Sequence, residues 1–345
     1  MASSSNPRAD RRRRKRTGLA TLDDVAALAG VSAITVSRAL NTPEIVSPKT
    51  VAAVKSAVAR VGYVPNLLAG GLASSRSNLV VAIVPTVGSP MFAGTIDALE
   101  ETLRQAGFKM MIGLSGYSLD REDELLHAVL SRRPAGVVLT GTLHSADVRE
   151  RLLVSKIPVV ETWDLTTTPI GLVVGFSTEM VGVDVARHLY QRGYRRPAVL
   201  TGDDRRAVMR ARALVAEAVV LGLPEPLLHT EPAPTVMGSG RIGLGELLRR
   251  DPKIDAIACS SDTLALGVVI EAQSRGIEVP HRLGVMGFGD LNFASVANPP
   301  LSTVAIDGPA IGRHAARFIV DWAAGQKPRE RVIDVGYTII PRGST

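Results

Sequence analysis

After residue 78 the chain alternates short apolar runs with longer stretches in which apolar residues recur at helical spacing. Continuous apolar runs are typical of strands buried in a parallel sheet, and the stretches between them are typical of the crossover helices that connect such strands. One set of runs covers residues 79–84, 109–114, 136–139 and 158–160, and a second covers 172–174, 197–200, 256–258 and 283–286. Two sets predict two doubly wound α/β lobes.

Before residue 65 the pattern is helical and the predicted helices are short. Thr21 offers a capping hydroxyl to a first helix that ends at Gly30, and Ser32 offers one to a second helix after a very tight turn. A third helix is predicted from about residue 48 to residue 61. Short helices joined in this way are typical of a helix-turn-helix DNA-binding head.

The positive charge of the chain is concentrated at the same end. The formal net charge is +7, and residues 1–78 contain 12 Lys and Arg against 4 Asp and Glu, whereas the other residues contain 28 against 29. The basic run at 11–16 cannot pack without burying like charges, so it predicts a solvated arm that attracts polyanions. By itself such a run fits a solubilising tail equally well.

Composition excludes several classes of protein. The 345 residues are 46% hydrophobic and 21% charged, which is ordinary for two or three folded units. The single cysteine, Cys259, excludes an intrachain disulfide and a cysteine zinc site, and the six histidines show no metal-ligand spacing. No apolar run approaches the ~18 residues of a membrane span, so we expect a cytoplasmic, nucleoid-associated protein without a membrane partner.

One motif could indicate a nucleotide-dependent enzyme. Residues 238–243 spell G-x-G-x-x-G, but residues 231–237 before them contain two prolines and no plausible buried strand. We therefore interpret Ser239 as a helix cap, and Gly243 and Gly245 as glycines that allow close packing. No Walker lysine motif or catalytic constellation is present, so we predict a protein that is not an enzyme and uses no cofactor.

The N-terminal residues carry a specific family resemblance. Segments 21–26, 30–32, 35–38 and 40–41, followed by 62–66, 69 and 72–73, resemble the head of the LacI/GalR family of bacterial transcription regulators. The resemblance implies a small all-α helix-turn-helix head and an α/β core of two doubly wound parallel-sheet lobes, similar to periplasmic sugar-binding proteins. It divides the chain after residue 20 into the head (21–64), a hinge helix and linker (65–78), and a two-lobe effector-binding and dimerisation core (79–345). The disordered basic arm (1–20) lies outside the resemblance and is expected from its charge.

The second helix is the recognition helix that this resemblance implies. Arg38 suits the O6 and N7 acceptors of guanine, whereas Ala33 and Ile34 offer only apolar contact, for which a thymine methyl group is the natural partner. Residues suited to phosphate contacts are Ser32, Thr35, Ser37 and Asn41. The resemblance adds Tyr63 and Asn66 to the DNA interface, together with Leu72, which matches the family's hinge leucine that wedges into the minor groove.

The same resemblance places an effector between the lobes, where the strands of α/β sheets end. Phe92 and Arg210 match family positions at the ligand, and Arg206 lies one helical turn from Arg210. Candidates for contacts to ligand hydroxyl groups are Trp163, Asp164, Asp262 and Asp290. Asp262 has a strong alternative as a helix N-cap.

A departure from the family pattern and a cluster of arginines favour an acidic effector. Gly289 stands where many sugar binders have an aspartate, and Arg205, Arg206 and Arg210 bring several guanidinium groups to one strand end. The forked N–H donors of an arginine guanidinium match the geometry of the oxygen atoms of a carboxylate or phosphate. With residues 159–161, 174–176 and 334–337, this resembles the gluconate-utilisation repressor branch, so we expect a sugar acid such as gluconate or a ketogluconate.

The predicted protein is a homodimeric repressor that binds double-stranded operator DNA and changes its affinity for that DNA when the sugar acid binds. A corepressor that strengthens DNA binding would use the same fold. The alternative is a cytoplasmic sugar-binding or sugar-converting α/β protein without a DNA function, and deletion of residues 1–78 would distinguish the two.

Overall fold

The computed structural model describes residues 20–64, 77–326 and 328–345. They belong to two compact units, one within residues 1–77 and the other within residues 78–345. Within the described residues, no helix is long and apolar enough to span a membrane.

The first unit is a three-helix head. Its elements are α1 (Leu22–Ala29), α2 (Ala33–Asn41), a 3₁₀ turn (Pro43–Ile45) and α3 (Pro48–Val61). The Thr21 hydroxyl accepts a hydrogen bond from the Asp24 backbone N–H, and the Asp24 carboxylate accepts one from the Thr21 N–H. Gly30 and Gly62 adopt left-handed φ values of 67° and 64° directly after α1 and α3, which only glycine adopts at no steric cost.

The head has a small core of valines and alanines. The buried residues are Val25, Ala26, Val36, Ala39, Val54 and Ala57. Valine burial contributes roughly 1.5–3 kcal/mol per side chain, so three valines make this a core of limited stability.

The second unit is the core, in which strands and helices alternate. Its strands are β1 (Leu79–Val84), β2 (Lys109–Leu114), β3 (Gly136–Thr140), β4 (Val159–Thr162), β5 (Leu172–Gly175), β6 (Pro197–Gly202), β7 (Leu227–Glu231), β8 (Ala256–Cys259), β9 (Gly284–Met286), β10 (Thr303–Ala305), β11 (Val332–Asp334) and β12 (Thr338–Ile340). Its α-helices are α4 (Ala93–Gln105), α5 (Leu119–Leu130), α6 (Ala146–Ser155), α7 (Thr178–Gln191), α8 (Arg205–Val220), α9 (Met237–Arg250), α10 (Asp262–Ser274) and α11 (Gly308–Ala323).

The strands form one sheet in each lobe. The N-lobe sheet has the order β11-β5-β4-β3-β1-β2 and the C-lobe sheet the order β7-β6-β8-β9, and all neighbours in both are parallel. A short antiparallel pair, β10 with β12, lies beside β9. The predicted fold class, a helical head and two parallel α/β lobes, is confirmed.

The chain passes between the lobes three times. It leaves the N-lobe after β5, returns from β10 to α11, and crosses again from β11 to β12. Apolar side chains fill both faces of each sheet, with fully buried examples such as Leu139 and Leu152 in the N-lobe and Leu200 and Leu247 in the C-lobe. Two rigid lobes joined by three segments are suited to holding a ligand between them.

Candidate functional site

In the head, the predicted recognition helix is α2. The Ser32 hydroxyl caps it by accepting a hydrogen bond from the Thr35 N–H at 3.2 Å, and it lies 2.9 Å from the Thr35 hydroxyl. Val36 and Ala39 are buried in the head core, so the opposite face of α2 points outward. Ile34 lies on this outward face with 66% of its surface exposed, free to contact another molecule.

The other described residues predicted to contact DNA differ in exposure. Arg38 is exposed, and Asn41 donates from Nδ2 to the Ser37 hydroxyl at 3.3 Å. Ala33 and Tyr63 are half-buried and pack against the head core. Both therefore have a structural role, which the sequence pattern did not reveal.

Part of the predicted interface lies outside the described residues. These are Asn66 and Leu72 in the predicted hinge, together with the basic arm at 11–16.

In the core, a cleft of about 390 Å³ has walls from both lobes. Residues that follow β1, β2 and each strand from β4 to β9 line it, because the carboxyl ends of parallel strands meet at one edge of a sheet. Four predicted effector residues are among them: Phe92, Trp163, Arg206 and Arg210.

Arg210 supplies a cation deep in this cleft. Its guanidinium lies 4.0 Å from the centre of the Phe288 ring, and Nη2 donates to the Ser260 carbonyl at 3.3 Å. Burial lowers the pKa of Arg210 to about 10, against the opposing charges of Asp204 and Asp164. No ion pair within the described residues includes Arg210. The guanidinium therefore keeps donors available for an anion from outside the protein.

Arg206 lies on the same helix, one turn before Arg210. Its guanidinium lies 5.7 Å from the centre of the Phe92 ring, so a C-lobe cation contacts an N-lobe aromatic residue across the cleft. The third member of the predicted cluster, Arg205, is exposed and does not line the cleft. Two guanidinium groups, not three, thus face the ligand space.

The N-lobe wall of the cleft is aromatic. The Trp163 ring makes edge contacts with Phe92 and Phe176 at centroid distances of 5.2 Å and 6.1 Å. Its backbone has a φ of 68°, which is uncommon for a residue with a bulky side chain. The indole Nε1–H is buried without a hydrogen-bond partner among the described residues, so it is an unused donor on a residue of the cleft wall.

The three predicted aspartates do not line the cleft. Asp262 is fully buried, where it accepts hydrogen bonds from the Leu291 N–H (2.7 Å) and the Thr303 hydroxyl (2.6 Å), and burial raises its pKa. Asp290 pairs with Arg342 at 2.7 Å. The Asp262 carboxylate stabilises the loop after β9, and the helix cap beside it is Ser261.

Asp164 has an intermediate position. It is buried behind the cleft wall, and its carboxylate accepts a hydrogen bond from the Thr142 hydroxyl at 3.4 Å. These placements correct the prediction that Asp164, Asp262 and Asp290 reach ligand hydroxyl groups directly.

Several cleft residues were absent from the sequence prediction. They are Thr86, Tyr117, Thr235, Ser260, Thr263 and Phe288, of which Tyr117 has a left-handed φ of 62°. The rule that ligands lie beyond strand ends would have found Thr86 and Ser260, since each directly follows a buried strand. Nothing in the sequence pattern indicates that Thr235 lines the cleft.

Comparison with known proteins gives matches over both units. Residues 21–66 match the profile of the bacterial regulatory proteins of the lacI family, and residues 186–345 match the periplasmic binding protein-like domain. A curated relative, the HTH-type transcriptional regulator GntR of Pseudomonas aeruginosa, is 34% identical over 331 residues, covering 95% of this chain and 96% of the relative.

Solved structures give the same result. A LacI-family transcriptional regulator from Silicibacter pomeroyi is 30% identical with a TM-score of 0.87, covering 94% of this chain and 99% of that structure. The transcription regulator GntR from Chromobacterium violaceum is 35% identical with a TM-score of 0.74, covering 77% of this chain and 98% of that structure.

Proposed function

This chain belongs to the lacI family of bacterial regulatory proteins, and we propose that it is a repressor whose affinity for operator DNA is controlled by a sugar acid bound between the core lobes. The family consists of DNA-binding transcriptional regulators, not enzymes, so a sugar-converting protein without a DNA function is not favoured. The observation that carries the effector part of the proposal is Arg210, a cleft cation that forms no ion pair among the described residues, although the charges of Asp204 and Asp164 act on it.

The head reads DNA through the outward face of α2. Ile34, which is exposed, contacts a thymine methyl group in the major groove, and Arg38 contacts guanine O6 and N7. The hydroxyl and amide groups at Ser32, Thr35, Ser37 and Asn41 contact phosphates and fix the position of the helix. Of the predicted contacts, Ala33 and Tyr63 contribute mainly by supporting the head core.

The segment between the two units couples them. By resemblance to the family, residues 65–78 form a hinge helix on the operator, with Asn66 at its start and Leu72 as the wedge in the minor groove. Residues 1–20 then form a basic arm, 21–64 the head and 79–345 the effector-binding core.

The cleft binds the effector through a charged end and an aromatic side. Arg210 contacts the carboxylate, since a guanidinium held against Phe288 presents a fixed fork of donors. Phe92 and Trp163 pack against the carbon chain, and the free indole N–H of Trp163 donates to a hydroxyl. Arg206, next to the same space, favours an acid over a neutral sugar.

A second copy of the chain completes the operator-binding unit. Strand β2 is an edge strand of the N-lobe sheet, and it exposes Met111, Ile112 and Leu114 by 53%, 38% and 42%. An exposed apolar edge strand of this kind is suited to pack against another chain. A two-fold dimer would present two heads to a near-palindromic site.

Calorimetry on the full chain tests the effector class. We expect gluconate or 2-ketogluconate to bind at least tenfold more tightly than glucose, because a hydrogen bond to a charged group is worth roughly 1.5–3 kcal/mol. Glucose has the same configuration at C2 to C5 but is cyclic and lacks the carboxylate, so it serves as the neutral-sugar control. Binding of neutral hexoses in the absence of aldonate binding would overturn the proposed effector class.

A further inference from the structure

A cluster of buried charged groups lies in the N-lobe outside the cleft lining. His144 Nδ1 lies 2.6 Å from Glu122 Oε1, and His144 Nε2 lies 3.6 Å from Glu161 Oε1. The side chains of His144, Glu122 and Glu161 are only 2%, 9% and 0% exposed. Charged side chains are rarely buried this deeply unless they are paired, so the three groups depend on one another.

The histidine supplies the only positive charge in this cluster among the described residues. Burial by itself lowers the pKa of His144, but the hydrogen bond with Glu122 and the charges of Glu122 and Glu161 outweigh burial and raise it to about 9. From the other packed elements, Asp123 of α5 adds a carboxylate whose Oδ1 is buried without a partner, and Asp147 of α6 is exposed and pairs with Arg151. At neutral pH, His144 is therefore an imidazolium between carboxylates.

The same cluster ties together the segments that form the N-lobe wall of the cleft. Glu122 lies in the first turn of α5, which begins directly after the cleft residue Tyr117 and the cap Ser118. The loop that carries His144 is also fastened to this turn, because the Ser145 hydroxyl donates to Asp123 Oδ2 at 2.9 Å.

On the other side the cluster reaches β4 and β5. Glu161 lies two residues before Trp163, and its Oε2 accepts a hydrogen bond from the Ile170 N–H at 2.7 Å, just before β5. The loop is joined to the residue after Trp163 through Thr142, whose hydroxyl donates to Asp164. Tyr117, the His144 loop and Trp163 are thus held by one set of contacts.

We propose that His144 is a positioning residue for the effector site, where its bridge between Glu122 and Glu161 holds Tyr117 and Trp163 in place on the N-lobe wall. Without the imidazolium, two buried carboxylates would face each other and the three segments would separate. The cluster is not a metal site, since no group of three metal-ligating residues within the described chain is arranged to hold an ion. The inference rests on the proposed function for the identity of the ligand, but not for the conformation of the wall.

The fluorescence emission of Trp163 reports on the conformation of the N-lobe wall in the absence of any ligand. The chain has two tryptophans, so W322F leaves Trp163 as the only emitter. In this background we expect emission to be constant near neutral pH and to change with a midpoint near pH 9 as His144 loses its proton, while far-UV circular dichroism stays constant. H144Q should show no such transition, and at pH 7 its emission should match that of the parent above pH 9.

Two further variants sharpen the test. E122Q removes one of the two partner charges, so the midpoint should fall by about 1 unit or more. H127Q makes the same change at an exposed position on the same helix, α5, and should leave the midpoint and the emission unchanged. If H144Q does not fold, E122Q decides the question alone. Flat emission from pH 7 to pH 10 in the parent, or the same midpoint in E122Q, would overturn the proposal.

Calorimetry with gluconate at pH 7 then links the wall to the ligand. We expect H144Q to weaken gluconate binding at least tenfold and H127Q to leave it unchanged. If the parent binds no sugar acid, the effector class in the proposed function is wrong, whereas the emission titration still decides the role of His144. Unchanged gluconate affinity in a folded H144Q would show that the cluster does not position the site.

Discussion

At the scale of single residues, the proposed effector site centres on a guanidinium that the fold places in the cleft without an ion-pair partner among the described residues. A structural arginine normally pairs with Asp or Glu, as Arg342 does with Asp290 at 2.7 Å. Arg210 instead contacts an aromatic ring and one backbone carbonyl, and the charges of Asp204 and Asp164 act on it without forming an ion pair. Such an arrangement is unfavourable for the empty protein and favourable when an anion arrives, which is the property expected of a ligand-binding residue.

Substitution of Arg210 separates ligand binding from stability. We expect R210M to weaken sugar-acid binding by roughly 10- to 100-fold, because it removes the charge-assisted hydrogen bonds to the carboxylate. The melting temperature should stay the same or rise, because an unpaired cation is lost from the interior. R212M on the exposed side of the same helix is the control and should leave binding unchanged. Calorimetry and thermal melting measure both effects, and a folded R210M that keeps full affinity would exclude Arg210 from the site.

Residues that reach the cleft because they follow a strand could be predicted from the sequence. Residues whose side chains form hydrogen bonds with distant parts of the chain could not. Phe92 and Arg210 were predicted because the family resemblance and the strand-end rule both pointed to them, and both line the cleft. Asp262 also follows a strand, but Leu291 and Thr303 capture its carboxylate from 29 and 41 residues away. Nothing local in the sequence indicates such distant partners.

At the scale of secondary-structure elements, the C-lobe depends on close contact between α9 and α10. A Cβ atom at Gly240 would lie 2.2 Å from the Leu264 carbonyl oxygen, and one at Gly267 would lie 2.1 Å from the Met237 carbonyl oxygen. The motif at 238–243 is therefore part of a helix-packing surface and not a phosphate loop. Ser239, interpreted from the sequence as a cap, lies inside the helix, where its hydroxyl accepts from the Val236 N–H at 3.5 Å.

A pair of alanine variants on α9 tests this packing. G240A should destabilise the core by roughly 1–3 kcal/mol, because the two helices must move apart. G238A has only the tip of Val236 at 4.0 Å and should stabilise by about 0.5–1 kcal/mol through helix propensity. Denaturant unfolding of both variants measures the difference. Equal stability of G240A and G238A would contradict the close backbone contact.

The strand prediction succeeded wherever a strand contains a continuous apolar run. All eight predicted runs correspond to strands, whereas β7 and the short strands β10, β11 and β12 were not predicted. Strand β7 is an edge strand whose residues are largely half-buried, and it includes His229 and Glu231. Its sequence lacks the continuous apolar run of a central strand, so the pattern did not distinguish it from a loop.

At the scale of the whole molecule, residues 65–76 connect the DNA-binding head to the core that we propose binds the effector, and they lie outside the described structure. The pattern of charge and periodicity separated the two units, because their cores are built from different elements. Control of DNA binding requires the sugar acid to bind the DNA-bound and the free conformations with different affinities.

The central claim is tested most directly by fluorescence anisotropy of the full chain on DNA that flanks its own gene, at one stated salt concentration. The titration is run alone and with gluconate, 2-ketogluconate or glucose. We predict specific binding that one of the two acids weakens at least tenfold and that glucose leaves unchanged. Specific binding that neither acid alters, or the absence of any sequence-specific binding, would contradict the account.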